Sequence, residues 1–133
     1  MSEENVERVR AVWDVLLRGD DTALSAYVDP DVVFEGSLLP DQVGQTYRGP
    51  DEVLKAWAAW LEPWESVHTE LEGARGAGDV VVSAHLARGR GKGSGVEAEM
   101  RYAYLWKLRA GKVVYLRAYP SAARALMAAG IPE

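Results

Sequence analysis

Tyr102, Tyr104 and Trp106 fall at every second position of a segment in which Ala98, Met100 and Leu108 keep the same parity, while Glu97, Glu99, Arg101 and Lys107 take most of the other. That alternation is the period of a strand with one lined face. A solid core favours Leu, Ile and Val, whereas phenol and indole rings carry polar tips that need a hydrogen-bond partner when buried. A strand face made of such rings suits the floor of a small-molecule pocket. It also suits ordinary core beneath a layer of helices, and the pattern alone leaves both open.

Other chemistries are narrowed by composition. With no cysteine, the chain has no disulfide, thiolate metal site or cysteine nucleophile. Its two histidines, His68 and His85, are too far apart in sequence to form a paired metal motif, so neither a metal nor a cofactor is expected. A net charge of −5 argues against nucleic acid or an anionic membrane surface as the main partner. The segment Gly89–Gly95 is glycine-rich, but its spacing misses the common phosphate-binding fingerprints and no helix follows it; a hairpin turn is expected. A small apolar or carbonyl-containing molecule is the partner that fits.

The length of 133 residues suits one domain, and 48% apolar with 26% charged residues is a globular balance. No apolar run approaches the roughly 18 residues that span a bilayer. The start, Met1-Ser2-Glu3-Glu4-Asn5, lacks the basic and apolar stretches of a secretory signal, and the expected location is the cytoplasm.

The elements that must position the rings can be read in order. Ser2 is the expected N-cap of a first helix ending at Gly19, with Val6, Val9, Trp13, Leu16 and Leu17 as its buried stripe. Asp20 or Asp21 caps a short second helix carrying Leu24 and Tyr27, and Asp29-Pro30 ends it. Residues 31–35 read as a short strand ending in Phe34 and Glu35. The stretch from Gly36 to Arg48, with Leu38, Leu39 and Tyr47, is long for a connector and reads as an irregular loop able to close over a pocket mouth. Gly49-Pro50-Asp51-Glu52 opens a third helix that Pro63 ends, with Val53, Trp57, Trp60, Leu61 and Trp64 at helical spacing. Strands follow at about 66–72, 80–88, 96–108 and 112–119, and a last helix from Ala122 stops at Gly130, where it is expected to cap one end of the sheet. The strand face opposite the rings mixes Leu105, Val113, Tyr115 and Tyr119 with His85, Glu99, Arg101 and Arg117, which suits a homodimer interface.

This order of elements resembles the cone-shaped fold shared by nuclear transport factor 2, ketosteroid isomerase and SnoaL-like polyketide cyclases. The likeness is carried by Arg18-Gly19-Asp20, Tyr27-Val-Asp-Pro-Asp-Val-Val-Phe-Glu35, Tyr47-Arg-Gly-Pro50, Gly89 to Gly95, and Gly111-Lys-Val-Val with Tyr119, and is strongest with the SnoaL-like group. It implies an α+β cystatin-like fold, a curved mixed sheet with the N-terminal helices on its concave face enclosing a pocket. It further implies that Glu35 stands where ketosteroid isomerases keep their general base, and Tyr104 near their oxyanion-hole aspartate. The family's helix-1 tyrosine falls on Val12 and its third-helix tyrosine on Trp57; the acid set of limonene epoxide hydrolases is not matched, since Ala118 stands at one of its positions.

Two functions follow as expectations. One is an isomerase-like or cyclase-like enzyme in which Glu35, among Phe34, Trp57 and Tyr104, moves a proton on a carbonyl compound. The other is a non-catalytic dimeric module that binds an apolar ligand. In either case Val12, Trp13, Phe34, Tyr47 and Trp57 are expected around the ligand, together with Trp60, Met100, Tyr102, Trp106 and Leu116.

Overall fold

The computed structural model describes residues 2–36 and 44–132. Leu38 and Leu39, offered above as part of a closing loop, lie outside the described residues, as does the capping side chain of Ser2. The described chain forms α1 (Ser2–Arg18), α2 (Asp21–Leu24), β1 (Val28–Glu35), β2 (Thr46–Arg48), α3 (Gly49–Leu61), β3 (Trp64–Ala77), β4 (Val80–Gly91), β5 (Glu97–Arg109), β6 (Lys112–Tyr119) and α4 (Ala122–Ala129). One six-stranded sheet runs in the order β2-β1-β6-β5-β4-β3. Every neighbouring pair is antiparallel except β1 with β6, which is parallel. The result is the α+β architecture with a curved mixed sheet that the resemblance implies.

Pairing register assigns the faces. Val81, Ser83, His85 and Ala87 of β4 oppose Trp106, Tyr104, Tyr102 and Met100 of β5, and Leu116 and Ala118 of β6 continue that row. This inner face is covered by α1 and α3. Helix α1 buries Val9, Val12, Trp13 and Val15, whereas Leu17 is 47% exposed, so the helix is turned from its expected stripe toward Val12 and Val15. Its start is tied down by Asn5, whose side-chain amide donates to the Gly78 carbonyl at 3.0 Å in the β3–β4 turn.

Several boundaries move for physical reasons. Asp20 accepts from the Ala23 amide and caps α2, but Tyr27 lies beyond the helix, and β1 starts at Val28 because its pairing with β6 begins there. The expected irregular loop contains β2, paired across Val33–Arg48 to Glu35–Thr46. Trp64 does not extend the helix face; it opens β3, with its ring edge-on to Trp60 at 5.8 Å. Gly89 and Arg90 belong to β4, so the hairpin turn between β4 and β5 is shorter than the run of glycines.

Helix α4 has the expected ends, Ser121 accepting from the Arg124 amide and Gly130 in a left-handed conformation at φ 72°. Its place differs. It lies on the outer face, where Ala125 and Leu126 pack with Val82, Ala103 and Ile131, because those outward-facing residues are apolar and need cover.

Candidate functional site

Between the inner face and the helices lies an apolar cavity lined by Leu16, Phe34, Val53, Ala56 and Trp57, with Trp60, Tyr104, Trp106, Leu116 and Ala118 completing the wall. Each element supplies what its period dictates: α3 gives Val53, Ala56, Trp57 and Trp60 at helical spacing, and β5 and β6 give alternate residues. The cavity volume is about 30 Å³, room for one or two waters by size but with almost no polar wall to hold them. Ligand sites for drug-sized molecules run to roughly 300 Å³ and above, so an occupant of that size requires wall rings to move. Trp57 is only partly buried and leans edge-on against Trp13 at 5.5 Å, which makes it the ring with most freedom.

Behind this wall the inner face is polar. The Trp106 indole donates to Ser83 Oγ at 2.7 Å, and Ser83 Oγ lies 2.6 Å from His85 Nε2. Ser83 and His85 are both fully buried. The His85 ring is sandwiched between Trp13 at 4.2 Å and Tyr102 at 5.1 Å. Desolvation lowers its pKa to about 3, so the ring is neutral at ordinary pH. Burial also raises the phenol pKa of Tyr102, and that of Tyr104 well above the ordinary tyrosine value, the second reinforced by Tyr102 beside it. Both phenols therefore stay protonated. The sequence pattern had placed His85 on the opposite face; strand register puts it inside, opposite Tyr102.

Glu35 is not at the cavity. It pairs in register with Arg117, while its neighbour Phe34 pairs with Leu116 and takes the cavity side. On the outer face its Oε2 accepts from the Tyr115 hydroxyl at 2.7 Å and lies 3.6 Å from the Arg117 guanidinium. The expected general base among Phe34, Trp57 and Tyr104 is thus corrected by strand alternation: a one-residue step reverses the face. Tyr115, held by desolvation and by its bond to Glu35, has its pKa pushed up to about 12. Among the described residues no group of three or more potential metal ligands comes together.

A SnoaL-like domain model matches residues 9–116. The chain belongs to the SnoaL-like domain family. Solved structures of the same fold agree over almost the whole length. A putative SnoaL-like polyketide cyclase from Jannaschia is 19% identical, covering 100% of this chain and 96% of the other, with a TM-score of 0.78. A ketosteroid isomerase-like fold protein from Catenulispora acidiphila, solved in complex with trimethylamine, is 23% identical over 95% and 94%, with a TM-score of 0.70. TerC co-crystallised with polyporic acid is 17% identical over 91% and 94%, with a TM-score of 0.71. No protein with a curated description matches the sequence.

Within this SnoaL-like fold, six of the expected residues meet around the cavity: Phe34, Trp57, Trp60, Tyr104, Trp106 and Leu116. Val12 is core, Tyr47 stacks on Phe34 at 5.7 Å, and Met100 packs at the margin of the cluster. Trp13 and Tyr102 stand one ring further back, against His85. Leu16, Val53, Ala56 and Ala118 were not expected at the site. The two alanines had a readable signal, because small residues facing a layer of large rings leave room.

Proposed function

We propose that this SnoaL-like domain is a binding module for a flat, uncharged, largely apolar molecule, held between α3 and the inner face by Phe34, Trp57, Trp60, Tyr104, Trp106 and Leu116. The observation that supports it most is the lining itself: five rings around a cavity with no charged side chain in its wall. Binding to Phe34 and Trp57 needs only that the helix-side rings yield, and Trp57 is placed to do so. A cation such as the trimethylammonium form of the small amine held by the Catenulispora protein would find aromatic faces here, but no carboxylate among the lining residues to complement its charge.

The proton-transfer reading is not favoured by the geometry, since the Glu35 carboxylate is engaged on the other face by Tyr115 and Arg117. Tyr104, a buried and protonated phenol at the wall, serves as a ligand contact. A second copy of the chain is proposed as the protein partner, across the outer face.

The test is a titration of tryptophan fluorescence with anthraquinone as the flat, uncharged probe and trimethylamine as the contrast. Saturable quenching by anthraquinone is expected, with affinity lowered at least about tenfold in Ala118→Leu, whose larger side chain fills the cavity, and unaltered in Glu35→Gln. The probe should be recovered chemically unchanged. Quenching that does not saturate, or that Ala118→Leu leaves untouched, would sink the binding reading. A chemically altered probe, with turnover lost in Glu35→Gln, would reinstate the enzyme.

A further inference from the structure

Five buried side-chain polar atoms among the described residues have no protein hydrogen-bond partner: Trp13 Nε1, Trp60 Nε1, Thr69 Oγ1, His85 Nδ1 and the Tyr102 hydroxyl. They are not scattered. Trp13 lies on His85 at 4.2 Å, His85 on Tyr102 at 5.1 Å and Tyr102 on Trp60 at 5.3 Å. Thr69 faces the Tyr102 hydroxyl without meeting hydrogen-bond geometry, so both groups stay unpaired. Folded proteins satisfy most buried polar groups, and a knot of five that fails to do so asks for an occupant.

The chemistry of the knot says which occupant. Two indole N–H groups can only donate, and two hydroxyls can donate or accept. Ser83 Oγ accepts from Trp106 and also meets His85 Nε2, so that side of the imidazole is already paired and only Nδ1 is left without a partner. With Ser83 donating to Nε2 the His85 proton sits on Nδ1 and adds a third N–H to the unpaired atoms; with Ser83 accepting from Nε2, Nδ1 is an acceptor and the two indoles and two hydroxyls remain the donors. No carboxylate or amide side chain belongs to the knot. Donors exceed acceptors, and the neutral imidazole adds no negative charge that would attract a cation.

We propose that Trp13, Trp60, Thr69, His85 and Tyr102 form a hydrogen-bonding subsite behind the cavity that selects ligands carrying a neutral acceptor oxygen, a carbonyl or an ether, and rejects amines. This rests on the binding-module reading above. The knot adjoins the cavity wall at Trp60, which belongs to both, and at Tyr104, a lining residue whose ring centroid lies 5.6 Å from that of Tyr102. The apolar body of the ligand lies against Phe34, Trp57 and Trp106, and its oxygen reaches past Tyr104 to the donors.

The experiment compares methyl naphthyl ketone with ethylnaphthalene, which differ in a carbonyl against a methylene, by calorimetric titration of the full chain. The ketone is expected to bind about tenfold more tightly, the worth of one net hydrogen bond. In the double variant Tyr102→Phe, Thr69→Val, which removes both hydroxyls and keeps the ring nitrogens, the ketone's advantage should shrink at least about threefold. Equal affinities in the natural chain, or a preference that the double variant leaves unchanged, overturn the subsite while leaving the binding module standing. Failure of both compounds to bind overturns the module and the subsite together. Should the double variant not fold, nitrogen NMR of the His85 ring in the natural chain decides: an Nδ1 resonance that moves with the ketone and not with ethylnaphthalene supports the subsite, and one that moves with neither overturns it.

Discussion

His85 carries the clearest consequence at the residue scale. In the folded chain its ring stays neutral down to about pH 3, whereas in the unfolded chain it takes up a proton below about pH 6.5. Above that pH both states are neutral and the residue makes no pH-dependent contribution. As pH falls below it, the unfolded state binds the proton the folded state refuses, and stability is lost at about 1.4 kcal/mol per pH unit. Urea unfolding should therefore show the natural chain losing about 2 kcal/mol between pH 6.5 and 5 relative to His85→Gln over the same window. A difference near zero would mean that water reaches the ring. Residue type alone did not reveal this position: a histidine between Ala84 and Leu86 fits either face of a strand, and only the pairing with Tyr102 settles it. Glu35 was misplaced by the same ambiguity, because position in the family pattern fixed the strand end but not which side the end residue faces.

At the scale of elements, alternation and turn residues made most of the fold legible. The bounds of β6 and α4 follow directly from Gly111, Tyr119, Ser121 and Gly130, and the row Tyr102, Tyr104 and Trp106 is indeed one buried face. What patterning could not give were the places where long-range pairing overrides local signals. The short β2 is held only by its partner β1, and Trp64, although at helical spacing, is taken into β3. Gly89 shows how tight that junction is. It sits opposite Val67, next to the bulge between Trp64 and Ser66, and a Cβ there would run into the Ser66 carbonyl oxygen and come within 2.8 Å of the Trp64 ring. Backbone cannot yield as a flexible side chain can. Gly89→Ala should cost about 1–3 kcal/mol, the usual range for overpacking, and lower the Tm by at least about 3 °C in a thermal melt followed by circular dichroism. An unchanged Tm would show that β3 can slide away from β4 at this point.

For the whole molecule, the outer face is where the proposed second copy would dock. Leu105 and Val113, expected to make that face adhesive, are already buried within one chain, and α4 covers Val82 and Ala103. What is left beside α4 is a strip on β1, β5 and β6 where Tyr115 and Tyr119 are half-buried under Lys107 and Arg117. Glu35 and Arg117 pair at its centre. Such a strip carries both signs of charge and two ring edges, so in the proposed dimer a two-fold axis through it would bring Glu35 of one copy toward Arg117 of the other. A dimer built this way is held by modest ring area and by partly solvated charges, and screening weakens it. If so, sedimentation equilibrium should give a mass approaching twice 14.6 kDa at high protein concentration, shifting toward the single chain in strong salt and in Tyr115→Glu, while anthraquinone still binds Tyr115→Glu as it binds the natural chain. A mass of 14.6 kDa at every concentration would remove the second copy from this face; a dimer indifferent to Tyr115→Glu would move the interface elsewhere. Because Tyr115 and Phe34 point to opposite sides of the sheet, the proposed assembly and the proposed ligand binding should respond to separate substitutions, and the one variant tests both.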